Sequence, residues 1–322
     1  MHLKKLFALL LAFALVAAAC GSDDDEADDA SASEASASES ADASASEASA
    51  SEPAESDDEA MEDDEAMEDE EATGEVDCAA PPLAADGVLT VATGNPVFEP
   101  WMVDDDPTNE QGFESALVYA LAEEMGIAEV AWVRTGFDEA IAPGEKDYDF
   151  NIQQYSITED RDEVVDFSDG YYQVEQAMVG AADGDLASAA ALGDLTDAQL
   201  GAAIGTTSLD YVENVIEPSS VPLAFDDNAA AKSAFDAGQV DGIVFDLPTA
   251  YFITAVEIPE AAIIGVLPRV GEPEELGMLF AEGSPLVPCV NEALAALRDG
   301  GVIDALEDEW LNQGGSIPSL TE

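Results

Sequence analysis

One arginine stands out by its company. In "QQYSITEDRDEVVDFSDGYY" (153–172), Arg161 sits among Glu159, Asp160, Asp162 and Glu163, in a chain that carries 72 Asp+Glu against 8 Lys+Arg. A guanidinium is planar, permanently charged, and donates two parallel hydrogen bonds to a carboxylate. Two uses fit it. One is a solvated cation that softens repulsion or pairs with Glu159 or Asp160. The other is a grip on a carboxylate belonging to another molecule. The single histidine is His2, which removes histidine metal clusters, a Ser-His triad and a histidine general base.

The remaining bulk features narrow the partners. The formal net charge is −64, and beyond residue 77 there are still 47 acidic residues against six basic ones. Nucleic acid requires a basic footprint and is excluded. So acidic a surface suits saline surroundings and high solubility.

Residues 1–19, "MHLKKLFALLLAFALVAAA", place Lys4 and Lys5 before an apolar run that ends in small residues. That is a secretory leader layout. The run is short for a membrane span and is followed by acid. "VAAAC" before Gly21 and Ser22 resembles a bacterial lipobox, although Ala17 stands where leucine is commonest. In that motif Cys20 takes lipid; the alternative is an ordinary leader with an incidental cysteine. Residues 20–77 are dominated by Asp, Glu, Ser and Ala, a composition too poor in large apolar groups to offset its ordering entropy. It reads as a tether off the membrane, or as an acidic binding tail. With Cys20 lipidated in an oxidising compartment, Cys78 and Cys289 remain and are expected to pair.

The site residues need a scaffold, and the periodicity supplies one. "GVLTVAT", "EVAWVRT", "YDFNIQQ" and "EQAMVGAA" read as strands. "GFESALVYALAEEMG" reads as a helix with Phe113, Ala116, Leu117, Ala120 and Leu121 on one face. A second series follows: "DLTDAQLG" as helix, strand "LGAAIG" opening into "TTS", strand "VPLAF", helix "DDNAAAKSAFDAGQ", strand "VDGIVFD", helix "LPTAYFITAV", and strands "AIIGVL" and "ELGMLFAEG". Ser284 and Pro285 are expected to open a penultimate helix, before "VIDALEDEWLNQ". Strands alternating with helices predict an α/β fold with mostly parallel sheets in two lobes. Ligands in such sheets bind beyond the carboxyl ends of strands. The arginine motif, "GTTS" and "VFD" all lie there.

The order resembles the extracellular solute-binding proteins of family 3, which feed polar amino acids to ATP-driven importers. The resemblance spans roughly 87–315. Its anchors are "SITEDRDEVVDFSDGYY", "GFESALVYALAEEMG", "IGTTS", "AGQVDGIVFD" and "SPLVPCVNEALAALRDGGVIDALEDEW". It implies a type II periplasmic-binding-protein-like fold: lobe 1 from 78–174 and 267–322, lobe 2 from 175–266, joined by two hinge strands around a cleft. It implies that Arg161 holds a ligand α-carboxylate, helped by the Ser156 backbone and, from the other lobe, by Gly205, Thr206 and Thr207; helix capping is a compatible role for "GTT". Asp246 would take the α-ammonium, or else cap the next helix. Gln154 stands where the family often has serine or glycine. In "NPVFEPW", Phe98 is expected to cover the ligand side chain, with Trp101 as runner-up or as core. Asn95, Phe137 and Gln153 complete the candidates. No metal or cofactor is implied. The expected partners are an amino acid, the membrane permease and, through Cys20, the outer face of the cell membrane; the protein would be monomeric. The rivals are a dehydratase on the same fold, with Glu99 as a candidate acid/base, and a surface sensory protein.

Overall fold

The computed structural model describes residues 76–312 and 317–322. The leader, Cys20 and nearly all of the tether lie outside the described residues. No described helix is long and apolar enough to cross a membrane.

Lobe 1 starts with β1 (Val88–Thr93), whose "VLTVAT" is rich in β-branched residues and mostly buried. α1 (Phe113–Glu124) follows, then β2 (Glu129–Arg134), the short α2 (Phe137–Ile141), β3 (Phe150–Asn151), α3 (Glu159–Asp162) and β4 (Val165–Phe167). β1 pairs in parallel with β2 and β3. α1 buries Phe113, Leu117, Val118 and Leu121, and also Glu114. Ala116 and Ala120, expected on the buried face, are only half-buried. Gly112 has φ +92, and a Cβ there would meet the Trp101 carbonyl oxygen at 2.5 Å. Its lack of a side chain lets the 95–102 loop lie directly against the start of α1.

The chain crosses by β5 (Tyr172–Val174) into lobe 2. There β6 (Gln176–Ala181), β7 (Leu200–Ala203), α4 (Thr207–Tyr211), β8 (Leu223–Phe225), α5 (Asn228–Asp236), β9 (Gly242–Asp246), α6 (Leu247–Phe252) and β10 (Ala261–Val266) follow. It returns by β11 (Glu274–Leu276), antiparallel to β5. β12 (Leu279–Ala281), α7 (Val287–Asp299) and α8 (Val302–Leu306) complete lobe 1. The strand orders are β2-β1-β3-β12-β4 and β10-β6-β9-β7-β8.

Both sheets are mostly parallel, as expected, and each carries one strand that runs against the other four. β12 runs antiparallel to β3 and β4, and β6 runs antiparallel to β9 and β10. The reason is connectivity. A chain that leaves one lobe and returns must send strands in both directions, and those that continue the crossing oppose the βα units. "ELGMLFAEG" is two strands rather than one, parted at Gly277 and Met278. "DLTDAQLG" forms only one tight turn at Leu192–Leu195. α7 starts at Val287 with Pro288 in its first turn, and Ser284 and Pro285 belong to the turn before it.

The C-terminal assignment changes too. Ser319 and Thr321 bridge to Val266 and Ala191, and Leu320 is buried in the lobe 2 core with Leu195, Leu200 and Ile264. Residues 317–322 therefore pack on lobe 2, not lobe 1. An apolar Leu320 beside the outer strand gains more burial there than in solvent.

Cys78 and Cys289 are bonded, tying the start of lobe 1 to α7 across 211 residues of sequence. Closing so long a loop restricts the unfolded chain. Cys78→Ser with Cys289→Ser is expected to lower unfolding free energy by about 2–5 kcal/mol in guanidinium titrations. Unreduced protein should show no reactive thiol at either position.

Candidate functional site

Arg161 lies in α3, capped by Thr158 through the Arg161 N–H. It is 8 % exposed, so the solvated reading fails. Its Nη1 donates to the Ser156 carbonyl at 2.6 Å and its Nη2 to the Gly205 carbonyl of lobe 2 at 2.9 Å. Neither Glu159 nor Asp160 forms an ion pair with it. Phe137 and Tyr155 lie 5.5 and 6.0 Å from the guanidinium carbon, and these two rings stack on each other at 4.5 Å. Burial opposes the charge of Arg161. A guanidinium has five N–H donors, so two bonds to carbonyls leave capacity for an anion.

Gly205 reaches Arg161 because its φ is +72, a conformation glycine adopts at no steric cost. Thr206 caps α4: its Oγ1 accepts from the Leu209 N–H and donates to the Ala203 carbonyl. The Thr207 hydroxyl donates to Glu274 Oε1 at 2.6 Å, and so does that of Ser156. Both hydroxyls are thus committed to a hinge carboxylate. What "GTT" has left to offer an anion is the unpaired N–H groups at the start of the helix.

Asp246 ends β9. The antiparallel register sets it opposite Gln176 on β6, whose Nε2 donates to Asp246 Oδ1 at 2.8 Å. Ser208 donates to the other end of that amide at 2.6 Å. Asp246 holds the cap position of α6, yet its side chain makes no capping bond. Its carboxylate is therefore turned to other use. Burial first, and then the neighbouring Glu274 carboxylate, push its pKa up to about 7. A bound ammonium would relieve that penalty.

Arg161, Ser156, Thr206 and Thr207 line one cavity together with Gln153, Gln154, Phe98, Phe137 and Asp246. Its space, mouth included, is about 630 Å³. Asn95 is exposed and off this lining. Trp101 takes its core reading and not its ligand-binding one: it is off this lining and fully buried, packed edge-on against Phe113 and Tyr172, with Nε1 donating to Thr249 of lobe 2 at 2.9 Å. A large ring with one polar edge is better placed in the core where that edge finds a partner. Glu99 lines an adjoining cavity with Lys232 and Glu257, away from Arg161. No cluster suited to a metal ion occurs among the described residues.

Glu114, Gln176, Ser208, Glu274, Asp226 and Asp227 were not foreseen. Glu114 is completely buried below the cavity floor. It accepts from the Gln154 backbone N–H at 2.8 Å, from the Gln154 side-chain amide, and from the Tyr171 hydroxyl. These bonds hold Gln154 at φ 53. With its nitrogen tied to Glu114, the amide of Gln154 keeps its oxygen for the cavity. The sequence offered one hint, an acid in the first turn of α1, but a helix N-terminus explains an acid there without any site.

The model of the bacterial extracellular solute-binding proteins, family 3, covers residues 89–313. The chain belongs to that family. The L-cystine-binding protein TcyJ of Escherichia coli (strain K12) is 24% identical over 216 residues, 66% of this chain and 79% of that protein. The solved structure of an ancestral arginine-binding protein bound to arginine is 30% identical, with a TM-score of 0.60, and covers 70% of this chain and 98% of its own. The ancestral amino acid-binding protein AncCDT-1, described as a precursor of cyclohexadienyl dehydratase, is 27% identical with a TM-score of 0.59, over 70% and 95% of the two chains. These relatives are named for binding an amino acid, and one of them is described as the precursor of an enzyme.

Burial lifts the Glu114 pKa from 4.5 to about 7, against the pull of its three donors. A carboxyl raised on folding stabilises the fold fully below its unfolded pKa, and that stability is lost as pH rises through the folded value. The melting temperature should therefore fall from about pH 4.5 to above 7, with Glu114 and Asp246 both contributing. Glu114→Gln should flatten that profile, read by calorimetry at constant ionic strength. An unchanged slope would show that the Glu114 proton is not involved.

Proposed function

We propose that this protein is the extracellular binding component of an ABC importer, capturing a polar amino acid by hinge closure and handing it to a membrane permease. One observation carries the reading: a buried arginine from lobe 1 and a half-buried carboxylate from lobe 2 line the same cavity. That pair complements the α-carboxylate and α-ammonium of an amino acid. Contacts between the lobes give closure a mechanism. Arg161 holds the Gly205 carbonyl, and Glu274 joins Ser156 to Thr207. A ligand carboxylate at Arg161 and the start of α4 would add to these links, so ligand and closure favour each other.

The chain acts without catalysis in this reading. Asp246 favours an ammonium over the acid/base work a dehydratase needs, and Glu99 sits off the Arg161 cavity. The lipobox-like "VAAAC" supports anchoring through Cys20, with 20–77 as the spacer.

A thermal-shift screen of the common amino acids should find at least one that raises the melting temperature by mass action. Arg161→Ala should weaken that ligand by about 2–5 kcal/mol, the range for breaking a buried charge pair. No shift with any amino acid, in a folded protein, would overturn the reading. Cys20→Ser should move the protein from the membrane fraction to the medium; retention on the membrane would count against the lipid anchor.

A further inference from the structure

We infer that the cavity selects an amino acid whose side chain carries a positive charge. The inference rests on the amino-acid-binding reading above and concerns the space that the shared head group leaves over. Arg161 and Asp246 answer the α-carboxylate and α-ammonium one for one. The rest of the lining includes the rings of Phe98 and Phe137, the Gln153 amide, and Asp226 and Asp227 at the junction of β8 and α5. No lysine and no arginine except Arg161 lines the cavity.

The two aspartates are an unbalanced charge. Neither forms an ion pair; the ion pairs among the described residues are Arg134–Asp105 and Lys232–Glu257. Asp227 is held in place because its Oδ1 accepts from the Ala230 N–H at 2.7 Å as the cap of α5. One capping bond leaves its second oxygen able to accept. Asp226 stands exposed beside it.

Three ligand classes can be compared on this lining. An anionic side chain would face two carboxylates with no cation to receive it. A neutral polar side chain would leave their repulsion unrelieved. A cationic one cancels it, and a phenyl face attracts a cation where a carboxylate would be repelled. The effect is strongest in the closed form, where water is reduced and charges are less screened.

The test is calorimetric titration of the full chain, freed of ligand by denaturant washing and refolding, with L-arginine, L-citrulline, L-lysine, L-glutamine and L-glutamate. Citrulline keeps the length and planar end of arginine and lacks its charge. Arginine is expected to bind about tenfold or more tightly than citrulline, with glutamate weakest. Asp226→Asn with Asp227→Asn should bring the arginine-to-citrulline ratio towards one. Asparagine still caps a helix, and Asp226→Asn alone, at no capping position, should shift the ratio in the same direction. Citrulline or glutamine binding as tightly as arginine, or a ratio unchanged in both variants, overturns charge selection while amino-acid binding stands. Absence of binding by all five, in protein shown to be folded by its melting transition, overturns this inference together with the reading beneath it.

Discussion

The burial of one guanidinium organises this molecule. A cation taken out of water must be surrounded by acceptors, and Arg161 takes its acceptors from both lobes. The Ser156 carbonyl is local, five residues away. The Gly205 carbonyl comes from the far lobe and is available only because glycine can adopt φ +72. The charge that prepares the site for an anion thus also helps hold the lobes together.

Around it, carboxylates are arranged by what they touch. Glu274 sits on the returning hinge strand and joins a serine of lobe 1 to a threonine of lobe 2. Glu114 fixes the floor through Gln154 and Tyr171. Asp246 is oriented by Gln176, whose amide is itself fixed by Ser208. Each of these acids is buried or half-buried in a protein whose surface is already strongly negative. Bonds from amides and hydroxyls, rather than cations, make that tolerable. Of the six cations beyond residue 77, only Arg161 lines the cavity.

The hinge is where fold and site meet. β5 and β11 pair antiparallel between the lobes, and Glu274 opens β11. The Trp101–Thr249 bond adds a further link nearby. The contacts between the lobes therefore include residues of the crossing segments, not only those of the two cleft faces.

Much of this was legible in the sequence, for a physical reason. Element identity depends on local periodicity and on caps such as Thr206 and Asp227, which are written in adjacent residues. The pairing of Cys78 with Cys289 followed from cysteine arithmetic, and the place of Arg161 from its motif. The one reversed strand in each sheet, the docking of Leu320 on lobe 2, the Trp101–Thr249 bond and the burial of Glu114 were not legible, because each depends on partners far along the chain. Gln176 meets Asp246 through a strand register 70 residues apart, and Ser156 meets Glu274 across 118. Sequence alone determined that an arginine, a run of small hydroxyl residues and an aspartate stand at strand ends. Tertiary structure alone decided which of their polar atoms are spent holding the fold and which are left for a ligand, because a hydrogen bond is a matter of distance and direction in space.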